Sequence, residues 1–355
     1  MMQFKLVKIL LSPISLLYGL GISIRDLLYR WGLLKGVRFS VPTISVGNLS
    51  IGGAGKSPHI EYLVRLLKDY IYVATLSRGY GRKTRGFSLV NPNNTAEQVG
   101  DEPLQFKRKF PHITVSVSES RTFAIPELLK YNAKIQTILL DDAFQHRSIH
   151  PDLNILLTEF QYPFTRDYLL PSGRLREWRS AYQRADYVIV SKCPPVLSTE
   201  DRQKMTKELN LLPRQRLFFS YYEYQRPNYI FDYRRQLILD DQLDILVICA
   251  IARTEYLLDY LNPLVKSVQI LEYEDHHYFS NFDLSNLKKR YDQMESSRKV
   301  IITTEKDAMR LQLHQKYIVD NLLPIFAIPV MVKFHGADGE HFDGAVKDFL
   351  LEYKA

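Results

Sequence analysis

Ser50-Ile51-Gly52-Gly53-Ala54-Gly55-Lys56-Ser57 follows the apolar run Val41-Pro42-Thr43-Ile44-Ser45-Val46 and precedes a helix expected over 59–68. A strand, a glycine-rich turn ending in Gly-Lys-Ser and then a helix form a phosphate cradle. Small residues let backbone N–H groups approach phosphate oxygens, and the helix N-terminus adds positive potential. Lys56 is placed to reach the β- and γ-phosphates, and the Ser57 hydroxyl to meet Mg²⁺. Ser50 stands where the usual pattern begins with glycine; a small residue still permits the turn. Residues 50–57 are therefore the candidate nucleotide-binding loop.

Outward from this loop, short apolar runs at 70–76, 113–117, 137–140, 153–158 and 187–190 alternate with helix-length segments. That alternation predicts a parallel sheet with helices on both faces. Near Leu217 the texture changes to the aromatic run Phe218-Phe219-Ser220-Tyr221-Tyr222-Glu223-Tyr224, and a similar run occupies 325–334. Between them lies a smaller α/β pattern with apolar runs at 243–250, 265–270 and 300–303. The expected organisation is an N-terminal membrane-surface region at 1–38 and a P-loop NTPase-like core at 39–216. A two-stranded linker at 217–234 and 325–334 then holds a smaller α/β domain at 235–324, and a C-terminal helix occupies 335–355. Such a double crossing would act as a hinge.

The formal charge of +8 suits an anionic partner such as a nucleotide, a phosphorylated substrate or an acidic membrane surface. The two cysteines, Cys193 and Cys249, are far apart and form no Cys-x-x-Cys pair, which argues against a zinc site or a disulfide framework. A reducing, cytosolic setting fits. No nucleic-acid module is visible, so no nucleic-acid partner is expected. A monomer is expected.

Residues 6–34 are apolar and flanked by Lys5, Lys8, Arg25, Arg30, Lys35 and Arg38 against Asp26 alone. With Pro13 inside it, the uncharged stretch between Lys8 and Arg25 is short for a spanning helix. The expectation is a helix lying in the membrane surface, apolar side down, with its basic residues near anionic head groups. An amphipathic helix packed on the core reads the same by periodicity, and one face can pack while the other meets lipid.

Asp141-Asp142 ends a buried-type strand downstream of the cradle, where a nucleotide enzyme places the carboxylates that organise Mg²⁺. Transfer to an alcohol also needs a group that takes the hydroxyl proton, and Asp101 in Gly-Asp-Glu-Pro, read as a loop, is the candidate. A helix N-terminal acid is the plainer reading of the same residue. His276 and His277 lack a third ligand at metal spacing, but a histidine beside Asp101 could orient it. Arg78, Arg82, Arg121, Arg174 and Arg176 fall in expected loops, where guanidinium forks suit phosphate.

These motifs occur together and in order. Val46-Gly47-Asn48-Leu49-Ser50 running into Gly52–Pro58, Ser77-Arg78-Gly79-Tyr80-Gly81, Gly100-Asp101-Glu102-Pro103 and Asp141-Asp142-Ala143-Phe144-Gln145-His146 resemble the tetraacyldisaccharide 4′-kinase family. So do Leu170-Pro171-Ser172-Gly173-Arg174-Leu175-Arg176-Glu177, Asp275-His276-His277 and Thr304-Glu305-Lys306-Asp307. The resemblance runs from the N-terminal helix to about Leu311. It implies an ATP- and Mg²⁺-dependent kinase acting on the 4′-hydroxyl of an acylated glucosamine disaccharide 1-phosphate, to give the 1,4′-bisphosphate lipid A precursor. It also implies peripheral attachment to the cytoplasmic face of the bacterial inner membrane. By motif position Lys56 and Ser57 are cradle residues, Asp141 and Asp142 metal-side acids, and Asp101 the base, partnered by His276. Arg78, Tyr80, Glu102, Arg121, Gln145, His146, Arg176 and Glu177 match positions that line the cleft. Ala143 and Ala250-Ile251-Ala252-Arg253 depart from the family's pattern, where glycine is common.

The rival reading is a P-loop GTPase or another nucleotide-dependent regulatory protein at the membrane. Base readout there uses Asn-Lys-x-Asp after a strand. Ser191-Lys192-Cys193-Pro194 lacks the acid, and Lys306-Asp307 has the wrong spacing.

Overall fold

The computed structural model describes residues 2–353, with side chains from Leu10 onward. The chain divides into two compact units. The first comprises Met1–Arg78, Ile113–Tyr222 and Val332–Ala355; the second comprises Gly79–His112 and Glu223–Met331. The chain thus passes between units after Arg78, His112, Tyr222 and Met331, four times rather than the two expected. Two of these passages fall within the strands Arg216–Tyr224 and Val330–Phe334.

In the first unit, seven neighbouring strands run parallel in the order Arg216–Tyr224, Tyr187–Ser191, Leu153–Glu159, Thr43–Asn48, Thr137–Asp141, Val73–Ser77 and Thr114–Val117. The strands Thr43–Asn48, Val73–Ser77, Thr137–Asp141 and Tyr187–Ser191 are buried along their whole length. Continuous burial is the mark of a parallel sheet covered on both faces. The chain's first strand lies in the middle of the order, so the loops after Thr43–Asn48 and Thr137–Asp141 emerge side by side at the carboxyl end. That is a topological switch point, where open α/β sheets bind ligands.

The first strand begins at Thr43 rather than Val41. Pro42 has no N–H to give a ladder. The helix Lys56–Leu67 begins three residues before the expected His59, because Pro58 lies in its first turn, where an N–H has no intrahelical partner anyway. The N-terminal helix is continuous from Met2 to Arg30 and runs through Pro13. Its stretch Leu10–Arg30 is long and apolar enough to cross a membrane by length and composition.

The second unit is built on a six-stranded mixed sheet. Ser267–Glu272, Asp244–Cys249, Lys299–Thr304 and Ile325–Ile328 run parallel, and Asn228–Tyr229 and Asp232–Gln236 extend the edge antiparallel. Its core gathers Leu243, Ile245, Val247, Leu257, Leu261, Ile302 and Phe326. The segment Gly79–His112, expected in the core domain, clusters here instead. Its helix Asp101–Lys109 packs on the helix Glu305–Leu311, with Lys109 Nζ 2.8 Å from both oxygens of Glu305. Asp101 is therefore the first helical residue and not a loop residue.

Candidate active site

The glycine-rich loop of the first unit turns into its helix at Gly55, which holds φ 87°. A Cβ there would stand 2.2 Å from the Tyr222 hydroxyl, so only glycine fits. The loop start is fixed to a second loop. Ile51 N–H donates to Arg174 O at 2.7 Å, and Arg176 N–H donates to Leu49 O at 2.8 Å. Behind the loop, buried His59 sits between Gly55 O at 2.7 Å and Ser220 Oγ at 3.0 Å. Burial lowers its pKa to about 4, so the ring is neutral near pH 7.

Four side chains converge beside the loop. Lys56 Nζ lies 3.2 Å from Asn48 Oδ1 and 3.8 Å from Asp142 Oδ1. Arg176 forks onto both Asp142 oxygens at 3.0 and 2.8 Å, and its Nη2 also donates to Asn48 Oδ1 at 2.7 Å. Burial alone would raise the Asp142 pKa, but Lys56, Arg176 and Arg121 together hold it well below the usual carboxylate range. Asp142 also has a left-handed backbone, φ 46°, in a region where Asp and Asn are enriched.

Asp141 closes the strand opposite Val46 and accepts from Ser77 Oγ at 3.3 Å. Buried Arg121 donates to Asp141 O at 3.0 Å and meets His146 Nε2 at 3.2 Å. Burial, and then the Arg121 charge, lower His146 to about 4, which leaves that nitrogen free to accept. Gln145 Nε2 donates to Asn48 O at 2.9 Å. Exposed Arg78 adds positive charge toward Arg121 and His146.

The second unit assembles its own cluster. Asp101 Oδ2 lies 3.5 Å from His276 Nδ1 and 3.6 Å from Arg310 Nε. Lys306 Nζ reaches His276 Nε2 at 3.1 Å, and Glu102 and Asp275 at 3.5 Å each. Tyr80 stacks at a tilt on His276, ring centroids 4.4 Å apart. Burial would raise the Asp101 pKa, but the His276 hydrogen bond and the Lys306 and Arg310 charges bring it down to about 2. Gly100, at φ 94° and with a prospective Cβ 3.0 Å from Gly79 Cα, sets this helix start.

Three expectations change in the structure. His277 bonds Asp283 Oδ2 at 3.0 Å, within the cap of the helix Asn281–Asp292, so only His276 accompanies Asp101. Glu177 is fully buried, one oxygen on Arg25 and the other on Arg184, and presents no carboxylate to a ligand. Arg25, expected near lipid head groups, is the partner that holds it. Asn48, Lys306 and Arg310 carry site geometry without having been singled out for it. Asn48 is a buried strand-end amide with four polar contacts, a role its place in the Val46–Ser50 motif could have signalled.

The donor set suits a hard cation, since Ser57, Asp141 and Asp142 offer only oxygen. Among the described residues no group of three or more His, Cys, Asp or Glu side chains could hold a metal ion. Mg²⁺ is usually bound by one or two carboxylates together with substrate phosphates.

Residues 7–350 match the model of the family described as tetraacyldisaccharide-1-P 4′-kinase. Among similar proteins is the tetraacyldisaccharide 4′-kinase of Bacteroides thetaiotaomicron, 40% identical over 354 residues, covering 96% of this chain and 93% of that one. That of Flavobacterium johnsoniae is 40% identical over 347 residues, 98% of each chain. Among solved structures, LpxK from Aquifex aeolicus in complex with ATP superposes with a TM-score of 0.73 at 29% identity, covering 97% of this chain and 99% of that one.

Proposed function

Because the chain belongs to the tetraacyldisaccharide-1-P 4′-kinase family, we propose that the two clusters above divide the labour of one phosphoryl transfer from ATP to a lipid A precursor. The acceptor is the 4′-hydroxyl of an acylated glucosamine disaccharide 1-phosphate, and the product is the 1,4′-bisphosphate. The observation that carries this reading is the convergence of Lys56, Asn48, Asp142 and Arg176 at the glycine-rich loop.

In the first unit, residues 50–57 bind the phosphates through backbone N–H groups, and Lys56 and Arg176 neutralise charge on the transferring group. Ser57, Asp141 and Asp142 are the side chains that would hold Mg²⁺, which would supply charge neutralisation for the transferring group. In the second unit, Asp101 accepts the 4′-hydroxyl proton as that oxygen bonds to the γ-phosphorus and the bond to ADP breaks. With its pKa near 2, Asp101 is ionised at neutral pH and keeps its accepting oxygen oriented. So weak a base suffices because phosphoryl transfer is loose and asks little of the nucleophile before bond formation. His276 Nδ1, 3.5 Å from Asp101 Oδ2, orients that carboxylate, while its Nε2 takes Lys306. Tyr80, Glu102, Arg78 and Arg121 frame the two clusters.

We place the enzyme on the cytoplasmic face of the inner membrane as a peripheral monomer. Support comes from the N-terminal helix, whose Leu10, Leu16, Leu17, Leu20 and Ile24 are exposed while Ser15, Gly19 and Ile22 pack on the first unit. A helix seated along one stripe lies on a membrane rather than across it.

The test is incubation with γ-labelled ATP, Mg²⁺ and the acylated disaccharide 1-phosphate. Label is expected at the 4′ position, with loss on chelation and recovery on adding Mg²⁺. Label retained in ATP, or released only as inorganic phosphate, contradicts the reading.

A further inference from the structure

Arg176, Glu177 and Trp178 are consecutive, and each is fastened to the N-terminal helix. The Tyr18 hydroxyl donates to Arg176 O at 3.0 Å. Arg25 pairs with buried Glu177, whose second oxygen takes Arg184. Trp178 Nε1 donates to Ser23 Oγ at 3.0 Å and Gly19 O at 3.2 Å. The packing is close, since a Cβ on Gly19 would stand 2.3 Å from the Trp178 ring. On its other side Arg176 forks onto Asp142 and bonds Asn48. The arginine is therefore suspended between the glycine-rich loop and the helix.

The pair joins a buried carboxylate to a part-exposed guanidinium and is weak grounds for stability, because apolar residues of equal volume often serve as well in such a place. Its best-attested use is to fix register, and Glu177 is placed to do that for its neighbour. A loop held at several points by one helix keeps a guanidinium within the tolerance that charge neutralisation requires.

We propose that Arg25, Glu177 and Tyr18 are positioning residues for phosphoryl transfer: the seat of the N-terminal helix holds the Arg176 guanidinium on Asp142 and so sets turnover. This rests on Arg176 acting in the transfer site. The helix then has two separable faces, an exposed apolar one and a polar one that tunes the active site.

The test uses the full chain with ATP and detergent-dispersed acceptor. Arg25→Met and Arg176→Ala are made singly and together, with kcat, KM, melting temperature and flotation on phosphatidylethanolamine–phosphatidylglycerol vesicles measured. Arg25→Met is expected to lower kcat about tenfold, as loss of a supporting partner does, with acceptor KM and flotation unchanged. Arg25→Lys restores most of the rate. In the Arg176→Ala background Arg25→Met costs nothing further, because coupled residues are non-additive. Unchanged kcat in Arg25→Met overturns the proposal, as does an equal loss in both backgrounds, which marks a merely structural pair. An Arg176→Ala enzyme of full activity removes the site reading instead, and the proposal with it. Should Arg25→Met fail to fold, Tyr18→Phe carries the same cycle, with a fall of about threefold for one hydrogen bond.

Discussion

Asn48 shows how one side chain organises the charges beside the glycine-rich loop. Its Oδ1 receives Lys56 and Arg176, and its Nδ2 donates to Ser50 O at 2.7 Å. Two cations are thereby gathered on one oxygen, close to Asp142. Asn48→Ala should cost 10- to 100-fold in kcat with little change in fold, and steady-state kinetics beside a melting curve checks this. His59 gives a pH prediction. Its folded pKa is about 4 against 6.5 unfolded, so the unfolded chain binds more protons between these values. The neutral ring's contribution, about 3 kcal/mol from the size of the shift, is present above pH 6.5 and is lost as pH falls through 4. Melting temperature should therefore drop more steeply over that window in the wild type than in His59→Gln.

The N-terminal helix carries the next prediction. Leu16→Ser with Leu20→Ser removes exposed apolar area and leaves Arg25 and Gly19 in place. Vesicle flotation should fall while kcat on dispersed acceptor holds; flotation equal to wild type would remove the membrane reading of that face. Deleting 1–34 should shift the protein to the soluble fraction and also lower turnover. The strands and the glycine-rich loop were legible because period, length and turn chemistry are local. Elements were misplaced where a proline decided the end, as at Pro42 and Pro58. Glu177 was misread for a different reason. Its partner Arg25 lies 152 residues earlier, and a charge at a motif position does not say which way it faces. Lys306 and Arg310 were passed over because their bearing on Asp101 depends on one helix packing on another some 200 residues away.

At the scale of the whole molecule, candidate catalytic residues are split between units that the chain crosses four times. The segment Gly79–His112 is inserted between first-unit strands yet packs with the second unit, taking Asp101 with it. No local pattern in the sequence announces that exchange, because its packing partner, Glu305–Leu311, is distant. On the proposed function the arrangement separates two tasks, phosphate binding by Lys56 and Arg176 and proton acceptance by Asp101, which His276 orients. Lys56→Ala should abolish transfer chiefly by losing the nucleotide phosphates, seen as weakened ATP binding in calorimetry. The most direct test of the division is Asp101→Ala assayed for ATP affinity and for single-turnover transfer in the same preparation. The account predicts ATP binding within about threefold of wild type and transfer slowed about 10²- to 10⁴-fold, the range for loss of a general base. Near-normal transfer, or transfer lost only in proportion to ATP affinity, would contradict it.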